Sequence, residues 1–355
     1  MVKYYTRACN FYYGKISEEK VNKKTNLPLN GNKLISFDTI EVITRNSKKI
    51  IKIKDIKKLP SKLKKKILND LKEITKKKSL KKIKFQSYPL LMGILNATPD
   101  SFSDGGKYLK SRSAFNQIKK LKKDGADIID IGGESTRPFS DPVSLEDELS
   151  RVIPVIEELR KKTDVVISID TTKANVAKEA CLVGADMIND ISGMLFDEKM
   201  IDVAKDAGCP IVLMHIKGNP KTMQENPTYD NVISEIKCHL LDRVDYMIDN
   251  GIDKKNIILD PGIGFGKTIE NNFEILNRLD ELTSIEYPFL IGVSNKSFIG
   301  KTLNIDENDR LQGTIVANII ALQKGCKIFR VHNVKEAKRC LLIANKIVNS
   351  DRLNN

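Results

Sequence analysis

The chain has 355 residues, 41% of them apolar and 30% charged, and a net charge of +14. This composition supports a folded core of large-domain size and excludes disordered and collagen-like chains, and no apolar run reaches the roughly 18 residues of a membrane helix. The six cysteines fall in no CxxC pair and there are only three histidines, which argues against a disulfide scaffold, a structural zinc site and a multi-histidine metal centre and fits a reducing cytoplasm.

The opening stretch MVKYYTRACNFYYG has no apolar export core, so no secretion is expected. Residues 1–90 carry 25 of the chain's 60 Lys and Arg but 7 of its 46 Asp and Glu, so the basic character belongs to the leading quarter, with a composition boundary near residue 86. Within that quarter Leu34–Thr44 is rich in β-branched residues and reads as a strand, and Ile51 and Ile53 alternate with Lys52 and Lys54 as a second. From Ser61 to Lys78 the residues Ile67, Leu68, Leu71 and Ile74 share one helical face, with Ser61 after Pro60 as its cap. The lysines read as a solvated face, because no arginine cluster or aromatic stacking pattern accompanies them, and no nucleic-acid or membrane partner is expected. Residues 1–86 are therefore a small basic α+β extension, and 87–355 a second unit.

From Leu90 the pattern repeats. Apolar runs at Leu90–Asn96, Ile128–Gly132, Val165–Asp170, Met187–Asp190, Ile211–His215, Ile257–Asp260, Phe289–Ser294 and Ile328–His332 read as strands. Amphipathic stretches at Arg112–Gly125, Asp147–Thr163, Ala174–Gly184, Asp197–Gly208, Asn231–Gly251, Ile269–Leu282, Glu307–Gly325 and Val334–Val348 read as helices, several closed by a glycine. Strand–helix pairs of this number and size predict an α/β fold, a (β/α)₈ TIM barrel, over a doubly wound open sheet.

A barrel gathers its reactive groups just past the C-terminal ends of its strands. Here those positions hold Asn96; Glu134, Thr136 and Arg137; Asp170; Asn189 and Asp190; His215; Asp260; Ser294, Asn295 and Lys296; and Arg330, Val331 and His332. Asp170, Asn189 and Asp260 suit a flat heterocycle with several N–H donors, while Arg137, Lys296, Arg330 and His332 form a facing cationic set suited to a phosphate or diphosphate. PGIGFGKT at Pro261–Thr268 lacks the leading glycine of a P-loop and places Lys267 at the third glycine of GxGxxG, so its glycines are expected to turn the backbone beneath a ligand. His215 reads as a structural group and His239, mid-helix, as surface background.

The segments MGILNATPDSFSDGG, DIGGESTRP, SIDTTK, INDIS, LMHIKGNPKTMQ, LDPGIGFGK, SNKSFIG and FRVHNV, in this order, resemble the dihydropteroate synthase family, over roughly Leu90–Val348. Residues 1–86 lie outside the resemblance. It implies a barrel, usually dimeric and using Mg²⁺, that condenses 6-hydroxymethyl-7,8-dihydropterin diphosphate with 4-aminobenzoate to 7,8-dihydropteroate in folate synthesis, with release of diphosphate. Carried over position by position, it implies that Asp170, Asn189, Asp260 and Lys296 hold the pterin with Met214 and Phe265 lining its pocket. Asn96, Arg137, Arg330 and His332 are then the diphosphate grip, with Asn96 also a metal ligand, and Val331 is counted with Arg330 and His332 at the substrate. Thr136, Pro138, Phe265, Lys296 and Ser297 border the aminobenzoate, with Arg137, Lys296, Arg330 and His332 as the catalytic set. The chain departs from the family's usual pattern in Asn295, where Arg is common, and Phe139, where Gly is common. The loops Ala97–Gly106 and Glu134–Pro142 are expected to act as lids. Two alternatives stay open: methyl transfer from methyltetrahydrofolate to a corrinoid protein, and a non-catalytic pterin-binding protein. The cationic set argues against both.

Overall fold

Strand-forming β-branched and aromatic residues and lysine-faced helices build the first region of the computed structural model, which describes residues 4–29, 31–44, 48–76, 89–97, 107–135 and 141–348. Here β1 (Tyr4–Tyr13), α1 (Gly14–Asn22), β2 (Leu27–Leu29), β3 (Asn32–Thr44), β4 (Lys48–Lys52), a 3₁₀ turn (Ile53–Lys58) and α2 (Ser61–Thr75) follow in order. The long β3 is the centre of an antiparallel sheet, pairing with β1 along its length, with β2 near its start and with β4 from Thr39 to Ile43. Phe37, Ile40 and Ile51 pack with Ile67, Leu71 and Ile74 of α2 into a core of their own.

Three readings of this region are corrected. Leu68, 43% exposed, lies off the buried face of α2. Pro60, not Ser61, is the N-cap, and no side chain caps that end. Ile53 opens the 3₁₀ turn and does not extend β4. β1, α1 and β2 are not read from the sequence: the apolar residues of β1 cluster at its two ends around a polar middle and do not alternate, and β2 is only three residues long.

The rest is an eight-stranded parallel sheet curled on itself: β5 (Leu90–Asn96), β6 (Ile128–Gly132), β7 (Val166–Asp170), β8 (Met187–Asp190), β9 (Ile211–Met214), β10 (Ile257–Asp260), β11 (Leu290–Ile291) and β12 (Ile328–Val331). Pairing runs in chain order from β5 to β10, and β5 also pairs β12, which pairs β11. The ring closes between β10 and β11 through a parallel bridge, Leu259 to Phe289, with Leu259 N donating to Pro288 O at 2.9 Å. Around it lie α3 (Lys107–Asp124), α4 (Leu145–Arg160), α5 (Ala174–Leu182), α6 (Met200–Ala207), α7 (Val232–Asp249), α8 (Ile269–Asn277), α9 (Leu279–Thr283), α10 (Ser297–Leu303), α11 (Leu311–Gln323) and α12 (Val334–Val348). Gly125, Gly184, Gly208, Gly251 and Gly325, read as helix stops, all have left-handed φ. The outward residues of the strands and the inward faces of the helices form the main apolar core.

The helix expected over Ile269–Leu282 is broken at Arg278, whose φ of −106° ends α8 and whose guanidinium bonds Glu274 behind it and Glu281 ahead of it. β11 is two residues long rather than six, being hemmed by Pro288, which has no N–H to give, and Gly292. The loop after it contains α10, a short helix with no apolar period to announce it.

Candidate active site

Side chains alternate along a strand, so which residues face the barrel axis is settled by parity. Leu90, Met92, Ile128, Met187, Val212, Ile258, Leu290 and Ile328 form an apolar plug at the N-terminal end of the strands. Two residues further on, the inward positions become Ile94, Asp130, Ser168, Asn189, Met214, Asp260, Gly292 and Arg330, and two beyond that come Asn96, Asp170, Ser294 and His332. The barrel therefore changes from apolar to polar in one step. Above the plug opens a cavity of about 590 Å³ at the C-terminal mouth, lined by Asn96, Asp170, Asn189, Met214, Asp260, Phe265, Lys296, Ser297, Arg330 and His332 among others.

At its floor Arg330 donates from Nε to Asp130 Oδ2 at 2.7 Å and from Nη2 to Asp170 Oδ2 at 2.5 Å, and Asn189 Nδ2 donates to the same Asp130 oxygen at 3.1 Å. The facing arrangement expected of acids and cations is corrected here: Arg330 is wedged between the acids, because two buried carboxylates at the barrel axis need a cation between them. Burial works against its charge, but Asp170 and Asp130 hold the guanidinium above its usual pKa. Burial pushes the Asp170 carboxyl up, with Arg330 opposing. The oxygens left over, Asp130 Oδ1 and Asp170 Oδ1, are buried and accept no hydrogen bond from the described residues. Asp170 lines the cavity, and an unmet acceptor there calls for an N–H donor from a ligand, while Asp130 lies behind it, fully buried.

Asp260 Oδ1 accepts from Gly262 N at 2.7 Å, and burial pushes its carboxyl up to about 6. Lys296 stands with Nζ 4.0 Å from the centroid of the Phe265 ring, and burial, followed by the charge of Arg330, pushes it down to about 8. Ile191, Met214, Ile216, Met223 and Phe265 make a separate apolar cluster on this side. The site thus offers a polar floor, an apolar flank and a lysine held over an aromatic ring.

The loop Pro261–Thr268 does what its glycines suggested. A Cβ on Gly262 would sit 1.9 Å from His215 O, and one on Gly266 would sit 2.3 Å from Lys217 O. Lys267 is turned into the protein: it is 2% exposed and its Nζ lies 2.9 Å from both His215 Nδ1 and Phe265 O. Burial pushes that lysine down to about 7 and, with Lys267 beside it, pushes the His215 imidazole well below its usual range, so His215 is a neutral structural group. The reading of His239 as surface background is corrected: its ring meets His215 edge-on at 4.9 Å and its Nε2 is buried.

At the rim, Ser294 Oγ lies 2.9 Å from His332 Nδ1 and also accepts from His332 N at 3.2 Å, which fixes the imidazole. Asn96, exposed, ends β5 at the same mouth. Glu134 is tied to Lys173, which also binds Glu148 at 2.6 Å. Ser297, exposed, opens α10. Val331 is the exception among the expected site residues, being packed in the main core outside the cavity. Thr136, Arg137, Pro138 and Phe139, most of the loop Ala97–Gly106 and the middle of Glu134–Pro142 lie outside the described residues. Asp130 and Met223 were missed in the sequence, whereas Ser294 was read at the end of the seventh strand run. Parity would have found the first, since Asp130 sits two positions past the inward Ile128.

A family model described as pterin binding enzyme matches residues 92–332. Dihydropteroate synthase from Synechocystis sp. is 47% identical over 258 residues, covering 72% of this chain and 89% of that protein. Among solved structures, dihydropteroate synthase from Yersinia pestis in a sulfonamide complex superposes with a TM-score of 0.72 at 39% identity, covering 77% of this chain and 99% of that one. The Xanthomonas albilineans enzyme, solved with 4-aminobenzoic acid, gives a TM-score of 0.70 at 38% identity, covering 74% of this chain and 94% of that one.

Proposed function

The chain belongs to the pterin binding enzyme family, and from that membership together with the barrel mouth we infer that it condenses 6-hydroxymethyl-7,8-dihydropterin diphosphate with 4-aminobenzoate, giving 7,8-dihydropteroate and diphosphate in folate biosynthesis. The observation that carries this reading is the cavity itself, where an orphaned oxygen of Asp170 lies beside Arg330, in a pocket also lined by Asn189, Asp260, Lys296 and Phe265.

The roles follow from the chemistry of the groups. Asp170, Asn189 and Asp260 take the N–H donors and ring acceptors of the pterin, whose faces rest on Met214 and Phe265. Lys296 spans the pterin and the diphosphate, and Arg330 and His332 address the diphosphate from the eighth strand. The bond between the pterin's methylene carbon and the diphosphate oxygen breaks, and the cations around it stabilise the charge that gathers on the leaving oxygen. The dihydropterin, rich in electrons, spreads the positive charge left behind, with Asp170 and Asp260 close enough to stabilise it. The arylamine nitrogen then bonds to that carbon and gives its proton to water. An arylamine is nucleophilic at neutral pH, so no cysteine, serine or histidine is needed to activate it.

Among the described residues no cluster of three His, Cys, Asp or Glu forms a metal cage. An oxygen of Asn96 at an open rim does fit Mg²⁺ carried largely by the substrate's own phosphates, where it would neutralise charge on the leaving group. Arg137, Thr136, Pro138 and Ser297 complete the proposal at the diphosphate and aminobenzoate. A homodimer is supported by the apolar residues left exposed on neighbouring α11 and α12, Val316 at 61%, Ile343 at 62% and Ile347 at 67%. The division into a region 1–86 and a barrel 87–355 is supported by their separate cores. A cytoplasmic setting is supported by six unbridged cysteines, and among the described residues no helix is long and apolar enough to cross a membrane.

A coupled assay for released diphosphate, run with and without 4-aminobenzoate, tests the reading. Release that depends on the amine supports it, while methyl transfer to a corrinoid protein, or pterin binding without turnover, would overturn it.

A further inference from the structure

Lys267 takes no part in the proposed chemistry, yet it is sealed in the protein, 2% exposed, near the end of the loop between β10 and α8. Nζ donates to Phe265 O at 2.9 Å and to His215 O at 3.4 Å, and meets His215 Nδ1 at 2.9 Å. With His215 neutral, all three are uncharged acceptors, and among the described residues no carboxylate forms an ion pair with Lys267. A charge buried without a partner is costly, and a neutral amide would meet the same acceptors without that cost. The charge itself therefore needs a reason.

The groups that face Lys267, or Asp260 in front of it, are His215 of β9, Lys217 just beyond it, His239 of α7, Lys296 past β11 and Arg330 of β12. Among them all Asp260 alone is an anion. Main chain joins it to the lysine. Gly262 packs against the same His215 O that Lys267 reaches, Gly262 N donates to Asp260 Oδ1 at 2.7 Å, and His215 N donates to Asp260 O at 3.0 Å. Asp260, Gly262 and Phe265 line the cavity and Lys267 does not, so the lysine stands behind the residues that meet the pterin.

We infer that Lys267 is a positioning residue: its ammonium, held behind the cavity wall by Phe265 O and His215, is the counter-charge that keeps Asp260 an acceptor for the pterin's N–H groups. This role rests on the proposed function and adds to it a cation that touches no substrate. Burial raises the Asp260 carboxyl, with Gly262 N, Lys296 and Lys267 opposing, and burial lowers Lys267 to about 7, with Asp260 opposing. Lys267 thus carries its charge in the acid range, where Asp260 would otherwise take up a proton.

The test is the affinity for the pterin diphosphate, measured by calorimetry on the full chain between about pH 5 and about pH 9, so that it stands apart from turnover. A nearby opposite charge holds a carboxyl down by about one unit or more. Lys267→Gln, which keeps a donor without the charge, should therefore weaken binding about tenfold at about pH 5, about twofold at about pH 7 and not measurably above about pH 8. In an Asp260→Asn background the same substitution should add no loss that varies with pH. A loss in Lys267→Gln that is equal at every pH, or no loss at any, leaves the lysine a brace for Phe265 and overturns the inference. A pH-dependent loss that survives in Asp260→Asn overturns it as well, since the charge would then act elsewhere. Lys267→Met, which removes the charge with a different shape, carries the same reading where Lys267→Gln does not fold, and failure of both to fold makes the lysine structural and overturns the inference. The unaltered protein is read first. Without affinity for the pterin diphosphate both the function and this role fall, whereas affinity without amine-dependent diphosphate release removes the proposed chemistry alone.

Discussion

Asp260, at the end of β10, and Lys296, in the loop after β11, have their titrations displaced toward each other, Asp260 raised to about 6 and Lys296 lowered to about 8. Below the first value Asp260 gains a proton and stops accepting from the pterin. Above the second, Lys296 loses the charge that faces the diphosphate. The dependence of kcat/KM for the pterin diphosphate on pH, which reports groups of the free enzyme, should therefore rise as Asp260, at about 6, and Asp170, also raised by burial, lose their protons, and fall through about 8. Lys296→Arg should move the alkaline limb beyond about pH 9 while leaving the acid limb in place. A profile with the same alkaline limb in both proteins would assign that limb to another group.

Arg330 has two jobs that one substitution would confuse. Removing it leaves Asp130 and Asp170 buried and facing each other without a cation. Breaking a buried pair in this way costs about 3–5 kcal/mol, so Arg330→Ala should lower the melting temperature as well as turnover, the latter by on the order of 10²-fold. Adding Asp130→Asn relieves the charge without restoring a donor to the diphosphate. The double variant should regain much of the lost stability in a thermal melt and none of the turnover. Recovery of turnover with stability would mean that Arg330 acts only through packing and charge balance at the floor.

At the scale of elements, the site depends on how tightly the loop between β10 and α8 folds under the cavity. Gly262 at φ 67° brings the loop against His215 O, and the buried Lys267 ties Phe265 O to His215. A side chain at Gly262 has to displace backbone in a conformation already strained for it, at about 3 kcal/mol or more. Gly262→Ala should destabilise the protein by that amount in chemical denaturation and raise KM for the pterin diphosphate, since Phe265 sits on this loop and Gly262 N donates to Asp260 at the end of β10. Unchanged KM in a folded variant would show that the loop does not position them.

The same elements show which parts of the fold and site could be read from residues alone. All eight barrel strands, β3, β4 and most of the helices were legible because each carries an apolar run or a helical period, although β11 is shorter than its run. The site was legible mainly at strand ends, where Asp170, Asn189, Asp260 and Arg330 break an apolar run. Asp130 was not, since it stands inside the run Ile128–Gly132 and looks like an interruption of it. α10 and the break at Arg278 were invisible for a different reason. Both are decided by turn geometry and by side-chain pairs such as Arg278 with Glu274 and Glu281, which the apolar periodicity does not encode.

On the scale of the whole molecule, the N-terminal region meets the barrel at the end away from the cavity. Arg7 of β1 donates to Asp280 of α9 at 2.7 Å and lies 3.6 Å from Glu281, while Lys76 reaches Glu286, just before β11 begins. Every residue of α9 is buried, so the region covers a helix that carries two acids next to the short strand at which the barrel closes. Chemistry at the mouth and support at the opposite end is the usual division in such barrels. Deleting residues 1–86 should therefore expose α9, leave Asp280 to Lys324 and Glu281 to Arg278, and lower the melting temperature by several degrees with kcat and both KM values within about twofold. Arg7→Ala, which removes the main ionic link and keeps the region, should reproduce a fraction of the thermal loss, on the order of 1–3 kcal/mol. A truncated chain that melts at the original temperature but loses turnover would place the region's role at the active site, against the ionic contacts to α9 and Glu286.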